Sequence, residues 1–244
     1  MGRLKNKVAI VTGASRGIGR SIAERLAQEG AAVVVNYYKS ADKAEEIVNG
    51  IEAKGGQALA IQADVSQVAE VQRLFQHTIG RFSGIDIVIA NAGMFNPKSI
   101  VDTTEEEFDA MVALNTKGVF FTLQEAARHI SNGGRIVYIS TSATASSFPG
   151  SAVYKGSKAA GEQFVQTLAH ELGPRQITVN TVSSGFTETD MLPKEEAFRE
   201  TGTQMSPLGR LGQPADIANV VAFLVSQEGG WITGDTIQAS GGIS

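Results

Sequence analysis

The sequence Thr12-Gly13-Ala14-Ser15-Arg16-Gly17-Ile18-Gly19 follows the apolar run Val8-Ala9-Ile10-Val11 and precedes a segment with helical periodicity. Gly13 permits a sharp turn from strand to helix, Gly17 lets the backbone approach a pyrophosphate, and Gly19 lets the helix pack closely on the strand. The helix then presents free N–H groups to an anion. Because a glycine cluster also occurs in ordinary turns, the surrounding sequence has to decide between the two interpretations.

Short apolar, β-branched runs alternate with longer amphipathic segments along the whole chain. The predicted strands are residues 8–11, 33–35, 58–61, 85–90, 135–139, 176–182 and 236–238, and the predicted helices are 18–29, 41–54, 67–80, 104–130, 152–172 and 214–226. This repetition predicts an α/β fold, a single doubly wound domain over residues 1–244, with seven parallel strands and helices on both faces. The polar segment 184–214 has no clear period, and we expect it to form a lid over a substrate.

Composition excludes several classes of function. A net charge of −4 in 244 residues gives no electrostatic reason to expect nucleic acid or a membrane as partner. The chain has no cysteine, which excludes disulfides and thiolate metal sites and favours a reducing, cytoplasmic location. His77, His129 and His170 lie far apart without ligand spacing, so we expect no metal site.

Tyr154 and Lys158 lie four residues apart on a predicted helix, so their side chains project from one face. A tyrosine of ordinary pKa, about 10, exchanges protons poorly at neutral pH, whereas a neighbouring ammonium stabilises the phenolate and lowers that pKa. Such a pair can act as a general acid or base. The alternative is an ordinary surface pair, but the glycine loop in the same chain favours the chemical interpretation.

Taken together, the motifs resemble the short-chain dehydrogenase/reductase family over nearly the whole length. The matching residues follow the family's order: Thr12-Gly13-x-x-x-Gly17-Ile18-Gly19, Asp64-Val65, Asn91-Ala92-Gly93, Asn115, Tyr154-x-x-x-Lys158 and Gly185-x-Thr187. The resemblance implies a Rossmann-type fold with strand order 3-2-1-4-5-6-7. It also implies a nicotinamide cofactor and hydride transfer between that cofactor and a carbonyl/alcohol pair.

The resemblance also implies a role for each matching residue. Asn91-Ala92-Gly93 would lie along the cofactor near its ribose, and Asp64 would accept from the adenine amino group beside the Val65 backbone. Lys158 would hold the ribose hydroxyls as well as lower the Tyr154 pKa. Asn115 would interrupt its helix and hold a water that links Lys158 to solvent. The remaining expected cofactor contacts are Gly13, Ser15, Arg16, Gly17, Ile18, Gly19, Gly185 and Thr187.

In the family, the helix of the tyrosine and the helix before it build a dimer interface, commonly within a tetramer, so the resemblance implies a homo-oligomer. The small residues Gly156, Ala159, Ala160 and Gly161 would permit close contact between such helices. The alternative is that these residues pack against the chain's own sheet.

The sequence departs from the family pattern at two positions. Thirteen residues before the tyrosine, where the family has a serine that binds the substrate oxygen, the chain has Thr141. Ser140 and Ser142 flank it, and we favour Thr141 for this role with Ser142 as the alternative. Ser184 replaces the proline of a Pro-Gly pair, and we expect this change to loosen the hinge of the lid.

The choice of cofactor depends on the sequence Val34-Val35-Asn36-Tyr37-Tyr38-Lys39-Ser40, which ends the second strand. A carboxylate there binds the 2′-hydroxyl of NAD, and none is present. Arg16, Lys39 and Ser40 offer charged and hydroxyl donors to a 2′-phosphate, which favours NADP. We also expect Asn36 and Tyr37 to contact the cofactor.

The sequence therefore predicts an NADP(H)-dependent carbonyl reductase or alcohol dehydrogenase that takes a small-molecule carbonyl substrate. Tyr154 would transfer the proton, and Thr141 or Ser142 would polarise the oxygen. One alternative is a 3-oxoacyl-(acyl carrier protein) reductase. The acidic carrier protein would need a basic docking patch, for which the sequence offers Arg128, His129 and Arg175. Another is a non-enzymatic dinucleotide-sensing protein on the same fold. The expected apolar pocket contains Phe95, Phe148, Val153, Phe186, Met191, Leu192, Phe198 and Met205.

Overall fold

A computed structural model describes residues 2–146 and 148–243 of the protein. These residues form a seven-stranded parallel sheet, with strands β1 (Val8–Val11), β2 (Ala32–Tyr37), β3 (Gln57–Gln62), β4 (Ile87–Ala90), β5 (Arg135–Thr141), β6 (Thr178–Ser184) and β7 (Thr236–Ala239). The strand order is β3-β2-β1-β4-β5-β6-β7, which confirms the order that the family resemblance implies. The order reverses between β1 and β4, and ligands of open α/β sheets bind at such a point, beyond the carboxyl ends of the strands.

Helices connect the strands and cover the sheet. They are α1 (Gly17–Gln28), α2 (Ala41–Glu52), α3 (Val68–Phe82), α4 (Glu105–Val112), α5 (Val119–His129), α6 (Ala152–Leu172), α7 (Glu196–Met205) and α8 (Pro214–Leu224). The predicted helix 104–130 is present but contains a π-helical segment, Ala113–Gly118, between α4 and α5. Among the α-helices of residues 2–146 and 148–243, α7 is the one that the sequence analysis did not predict.

Two apolar clusters, one on each face of the sheet, form the core. Side chains alternate between the two faces along β1, so Ala9 and Val11 lie in the cluster that contains α1, α2 and α8. Ile10 points to the opposite cluster, which contains α3, α5 and α6. Both faces are therefore buried, as the continuous apolar runs of the strands predict. Within the described residues, no helix is long and apolar enough to cross a membrane.

Candidate active site

One cavity of about 690 Å³ opens at the carboxyl ends of the strands. Most of the residues that the sequence singles out line it: Gly13, Ser15, Arg16, Gly17, Ile18, Gly19, Asn36, Lys39, Ser40, Asp64, Val65, Asn91, Ala92, Gly93, Thr141, Ser142, Tyr154, Lys158, Gly185 and Thr187. Tyr37 and Asn115 do not line it. Residues separated by up to 174 positions in the sequence thus meet in one space, because the parallel strands all end at the same edge of the sheet.

The glycine loop between β1 and α1 has the geometry of an anion site. Gly13 has a φ of +61°, and a Cβ there would lie 2.9 Å from the Ala92 Cα. A Cβ on Gly19 would lie 2.5 Å from the Asn91 side-chain nitrogen, so only glycine fits either position. Arg16 is the N-cap of α1 and makes no side-chain capping bond, which leaves the first N–H groups of the helix directed at the cavity.

Thr12 and Asn91 join this loop to the end of β4. The buried Thr12 hydroxyl accepts from the backbone N–H groups of Asn91 (2.9 Å) and Ala92 (3.0 Å). In return, the Asn91 amide donates to the carbonyls of Thr12 (2.8 Å) and Gly13 (3.2 Å). The two loops that flank the point of strand-order reversal are therefore held as one unit.

Asp64 lines the cavity and also closes a turn. Its Oδ1 accepts from the Ser66 N–H (3.0 Å) and hydroxyl (2.8 Å). One carboxylate oxygen therefore fixes the turn before α3. The predicted contact with an adenine amino group is compatible with this arrangement, because a carboxylate accepts several hydrogen bonds.

At the end of β2, Tyr37 does not lie where a contact with the cofactor would place it. Because β2 extends to residue 37, alternation packs this ring against the core cluster of α1 and α2, away from the cavity. Tyr38, the first residue beyond the strand, lines the cavity instead, and the Lys39 Nζ lies 4.9 Å from its ring centroid. Asn36 lines the cavity, but its amide is engaged: it accepts from the Gly13 N–H (3.1 Å) and donates to backbone carbonyls that include Ala63 (3.1 Å).

Asn115 lies in the π-helical segment, so the interruption of the helix that the family resemblance implies is present. Its side chain is fully buried and accepts from the Met94 N–H (2.9 Å). The Asn115 amide nitrogen donates to the Met94 carbonyl (2.9 Å) and to the Ser157 hydroxyl (3.1 Å). Asn115 therefore joins the segment after β4 to α6 from behind the cavity wall.

Tyr154 and Lys158 project from one face of α6 into the cavity, one turn apart. The Lys158 Nζ donates to the Ile139 carbonyl (2.8 Å) and lies 5.1 Å from the centroid of the Tyr138 ring. Burial lowers the pKa of Lys158 to about 8, and the charge of Glu162 opposes this effect.

The pKa of Tyr154 corrects a prediction. The sequence predicts that Lys158 lowers it, but the net shift in this structure is upward from the ordinary value of 10, because burial of the phenol dominates. The opposing effect comes from a hydrogen bond with the Thr141 side chain.

Thr141 and Ser142 occupy different positions although both line the cavity. Thr141 ends β5, and its hydroxyl accepts from the Ala143 N–H (3.2 Å). Its side chain also lowers the pKa of Tyr154, against the larger effect of burial. The chain then enters a 3₁₀ turn, Ser142–Thr144, so strict strand alternation ends at Thr141. The effect of its side chain on the Tyr154 pKa favours Thr141 as the partner of the phenol.

The segment 184–214 contains more structure than its sequence indicates. Ser184 is the last residue of β6, and its buried hydroxyl donates to the Ser140 carbonyl (3.1 Å), so the expected loose hinge is tied to β5. Helix α7 follows, and its Gly202 packs against the Phe186 ring, where a Cβ would lie 2.8 Å away. An ion pair between Glu188 and Arg199 joins the start of the segment to α7.

Aromatic side chains dominate the end of the cavity near Tyr154. The Phe95 and Tyr154 rings meet edge to face with centroids 4.8 Å apart. The Phe186 ring lies between Phe148 (6.4 Å) and Phe198 (5.4 Å). Met191 and Leu192 also line the cavity, as predicted, whereas Val153 and Met205 do not.

Sequence reasoning missed several lining residues that carry no motif: Tyr38, Ala63, Ser66, Met94, Ala110, Ala113, Leu114, Ile139, Ser140, Ala143, Thr189, Asp190 and Pro193. Most lie within two residues of a predicted site residue or at the end of a strand. Proximity to a strand's carboxyl end is therefore the signal that could have found them. No group of three or more potential metal ligands occurs among residues 2–146 and 148–243.

A family model described as enoyl-(acyl carrier protein) reductase matches residues 13–244. A solved short-chain dehydrogenase from Burkholderia cenocepacia, in complex with NADP, superposes with a TM-score of 0.95 at 42% identity over 99% of both chains. The chain belongs to the short-chain dehydrogenase/reductase family. It is an oxidoreductase, as its motifs predict.

Other relatives within this family are named as reductases. Elsinochrome reductase 1 of Elsinoe fawcettii is 43% identical over 253 residues, which cover 98% of this chain and 95% of the relative. The landomycin C-6 ketoreductase LanV, solved with bound NADP and rabelomycin, superposes with a TM-score of 0.91 at 40% identity, covering 99% of this chain and 98% of LanV.

Proposed function

We propose that the protein is an NADP(H)-dependent ketoreductase of the short-chain dehydrogenase/reductase family. One observation carries the proposal: Thr141, Tyr154 and Lys158 line the same cavity as the glycine loop, and the Lys158 ammonium lies one turn of α6 from the phenol. Two hydroxyl donors beside a dinucleotide site are the groups that carbonyl reduction needs.

The residues present fit a dinucleotide phosphate. The loop around Gly13 and Gly19 has no room for a side chain, and the uncapped start of α1 faces the cavity. Arg16, Lys39 and Ser40 would hold the 2′-phosphate with charge-assisted and hydroxyl donors. Solved relatives that contain NADP support this choice. When bound, the nicotinamide supplies the hydride.

The protein's own residues would then handle the substrate oxygen. Tyr154 donates its phenolic proton to the oxygen, and Thr141 donates a hydrogen bond that stabilises the developing negative charge. Lys158 keeps a positive charge beneath the phenol and holds the ribose. Asn115 fixes the helix behind the pair, and the predicted water beside it would connect Lys158 to solvent. Asp64 and the Asn91–Gly93 turn would position the adenine and ribose.

The aromatic end of the cavity favours a flat, apolar aromatic ketone. The rings of Phe95, Phe148, Phe186 and Phe198 offer faces and edges for contact with fused aromatic rings. LanV, which is named a ketoreductase and was solved with rabelomycin, supports a ketone as the substrate. Segment 184–214, which carries Phe186 and Phe198, would act as the lid.

An acyl carrier protein is a poorer fit as substrate carrier. Arg128 and His129 end α5, and Glu125 pairs with both, at 2.6 Å and 3.2 Å. Arg175 donates to the carbonyls of Ala127 and Ile130, so it caps that helix. These residues precede β5 and β6 and so lie at the amino edge of the sheet, opposite the cavity. A carrier docked there would not reach Tyr154.

We expect the protein to form a homo-oligomer, commonly a tetramer in this family, through α5 and α6. Phe120 on α5 is 42% exposed, and its ring meets Phe164 of α6 at 5.2 Å. Of the small residues on α6, Gly156 faces open space, whereas Gly161 packs on Tyr138 of its own sheet. Light scattering of Phe120→Glu should show a smaller assembly than the wild type. The cytoplasmic location stays a prediction.

Substrate preference tests the proposed function. Reduction of a fused-ring aromatic ketone, an alkyl keto ester and a 3-oxoacyl thioester should be compared with NADPH and with NADH. We expect the highest kcat/KM with the aromatic ketone and NADPH. A clear preference for the thioester would favour the carrier-protein reductase, and NADPH binding without oxidation by any ketone would favour the dinucleotide-sensing protein.

A further inference from the structure

Glu162 lies one helical turn beyond Lys158 on the inward face of α6, and no motif in the sequence singles it out. Its Oε1 accepts from the Ser140 hydroxyl at 2.5 Å and from the Thr144 hydroxyl at 2.9 Å. Ser140 is buried near the end of β5, and Thr144 ends the 3₁₀ turn that follows. One carboxylate oxygen therefore joins α6 to both sides of Thr141.

The contacts of Thr144 extend this connection to the backbone of Thr141. The Thr144 hydroxyl lies 2.9 Å from the Thr141 carbonyl oxygen as well as 2.9 Å from Glu162. Thr141 lines the same cavity as Tyr154, and its side chain lowers the pKa of that phenol. Because Tyr154, Lys158 and Glu162 share one helix face, the carboxylate fixes the position of Thr141 relative to the helix that carries the phenol.

The charge of Glu162 also acts on Lys158. Burial lowers the pKa of Lys158 to about 8, and Glu162 is the charged group that opposes this. The other titratable groups that face Lys158 are Tyr154 on its own helix and Tyr138 of β5. Asn115, which packs behind Lys158 from the π-helical segment, is uncharged.

We propose that Glu162 is a positioning residue for carbonyl reduction: its carboxylate holds Thr141 against Tyr154 and keeps Lys158 charged. This inference rests on the proposed ketoreductase function. Three residues at one-turn intervals on α6 then have different roles. Tyr154 transfers the proton, Lys158 carries the positive charge, and Glu162 holds the surroundings of both in place.

The test compares Glu162→Gln with Glu171→Gln. The first substitution keeps an acceptor oxygen but removes the charge beside Lys158, and the second removes the same charge from an exposed position on the same helix. For reduction, Lys158 loses its proton before Tyr154, so it sets the alkaline limb of the kcat/KM profile. In Glu162→Gln this limb should move to lower pH by about one unit, while Glu171→Gln should follow the wild type.

Thermal unfolding of the cofactor-free protein provides a readout independent of activity. The pKa of Lys158 is about 8 in the folded protein and ordinarily 10.5. Between these two pH values the unfolded chain binds more protons than the folded protein, so the free energy of unfolding rises with pH. Below pH 8 both states carry the charge, and the full cost of burying it lowers the stability. The contribution of Lys158 is the difference in stability between each protein and the same protein with Lys158→Met. The rise of this difference with pH should begin about one pH unit lower in Glu162→Gln than in the wild type.

A second variant keeps the proposal falsifiable if Glu162→Gln fails to fold. Ser140→Ala combined with Thr144→Val removes both hydroxyl contacts and retains the charge. We expect kcat to fall about 10-fold, as for loss of a hydrogen bond to a charged group, with the alkaline limb unmoved.

The outcomes separate the inference from the proposed function. The role of Glu162 is overturned if Glu162→Gln shifts neither the alkaline limb of the kcat/KM profile nor the pH at which stability begins to rise. It is also overturned if Ser140→Ala combined with Thr144→Val keeps the wild-type kcat. If the wild type reduces no ketone, the proposed function fails, and the stability measurement alone still decides whether Glu162 maintains the charge of Lys158.

Discussion

The two ends of the cavity are built by different means. The cofactor end is formed by backbone: the glycine loop, the uncapped start of α1, and the Thr12–Asn91 contacts that lock two loops together. The substrate end is formed by side chains, chiefly the rings of Phe95, Phe186 and Phe198, which come from segments far apart in the chain. Tyr154 and Lys158 lie where the two ends meet.

This difference has a functional consequence. Backbone amides at a glycine loop tolerate no side chain and can hold one kind of ligand, whereas apolar rings are exchanged at modest cost. Substitutions at the substrate end can therefore change which substrate binds without changing which cofactor binds. The two ends should therefore respond separately to substitution, and each variant below tests that separation.

The largest effect is expected at Tyr154. Tyr154→Phe keeps the ring contact with Phe95 but removes the proton donor, so kcat should fall by roughly 10²- to 10⁴-fold while the NADPH dissociation constant changes little. Tyr38→Phe makes the same chemical change at the cofactor end and should leave kcat near the wild-type value. Steady-state kinetics and NADPH fluorescence titration measure both. Near-normal turnover by Tyr154→Phe would refute its assignment.

Thr141→Val and Ser142→Ala compare the two candidate hydroxyls. Thr141→Val should lower kcat by roughly 10²-fold, the loss typical of one donor to a developing oxyanion. Ser142→Ala, its matched control, should cost little because it is the Thr141 side chain, and not that of Ser142, that acts on the Tyr154 pKa. If the ranking is reversed, Ser142 is the donor; if both losses are small, the hydroxyls substitute for one another.

Arg16→Ala tests the cofactor end alone. Loss of a charge-assisted contact with the 2′-phosphate should raise the KM for NADPH by about 10- to 100-fold. The KM for NADH, which lacks that phosphate, serves as the internal control and should stay nearly constant, as should the KM for the ketone. An equal rise for both cofactors would show that Arg16 has a structural role.

Phe198→Ala should have the smallest effect of the four. Loss of one ring from the edge-to-face contact with Phe186 should raise the KM for a fused aromatic ketone by roughly 3- to 10-fold. The KM for a small aliphatic ketone and the affinity for NADPH should change less. If NADPH affinity falls as much as ketone affinity, the two ends of the cavity are not independent.

The same contrast explains what the sequence could predict. The cofactor end depends on local signals, so the glycine loop, the strand order and the interrupted helix at Asn115 were all accessible from motifs and resemblance. Tyr37 does not line the cavity: the prediction ended β2 at residue 35, whereas β2 runs to Tyr37 and packs its ring against the core cluster of α1 and α2.

The substrate end depends on tertiary contacts that leave little trace in the sequence. Helix α7 has few apolar residues and is held by the packing of Gly202 on Phe186 and by the Glu188–Arg199 ion pair. The raised pKa of Tyr154 likewise follows from burial, which spacing along a helix does not reveal. Glu162 was missed because its partners, Ser140 and Thr144, approach it only when β5 packs against α6.

The most direct test of the central claim is isotope transfer. The wild-type protein is incubated with a fused-ring aromatic ketone and NADPH deuterated at either face of nicotinamide C4, and the alcohol is analysed by mass spectrometry. The account predicts one deuterium on the carbinol carbon for each NADPH oxidised, from one face only, and roughly 10²- to 10⁴-fold less labelled alcohol with Tyr154→Phe over the same time. NADPH that binds tightly but transfers no deuterium to any ketone would contradict it.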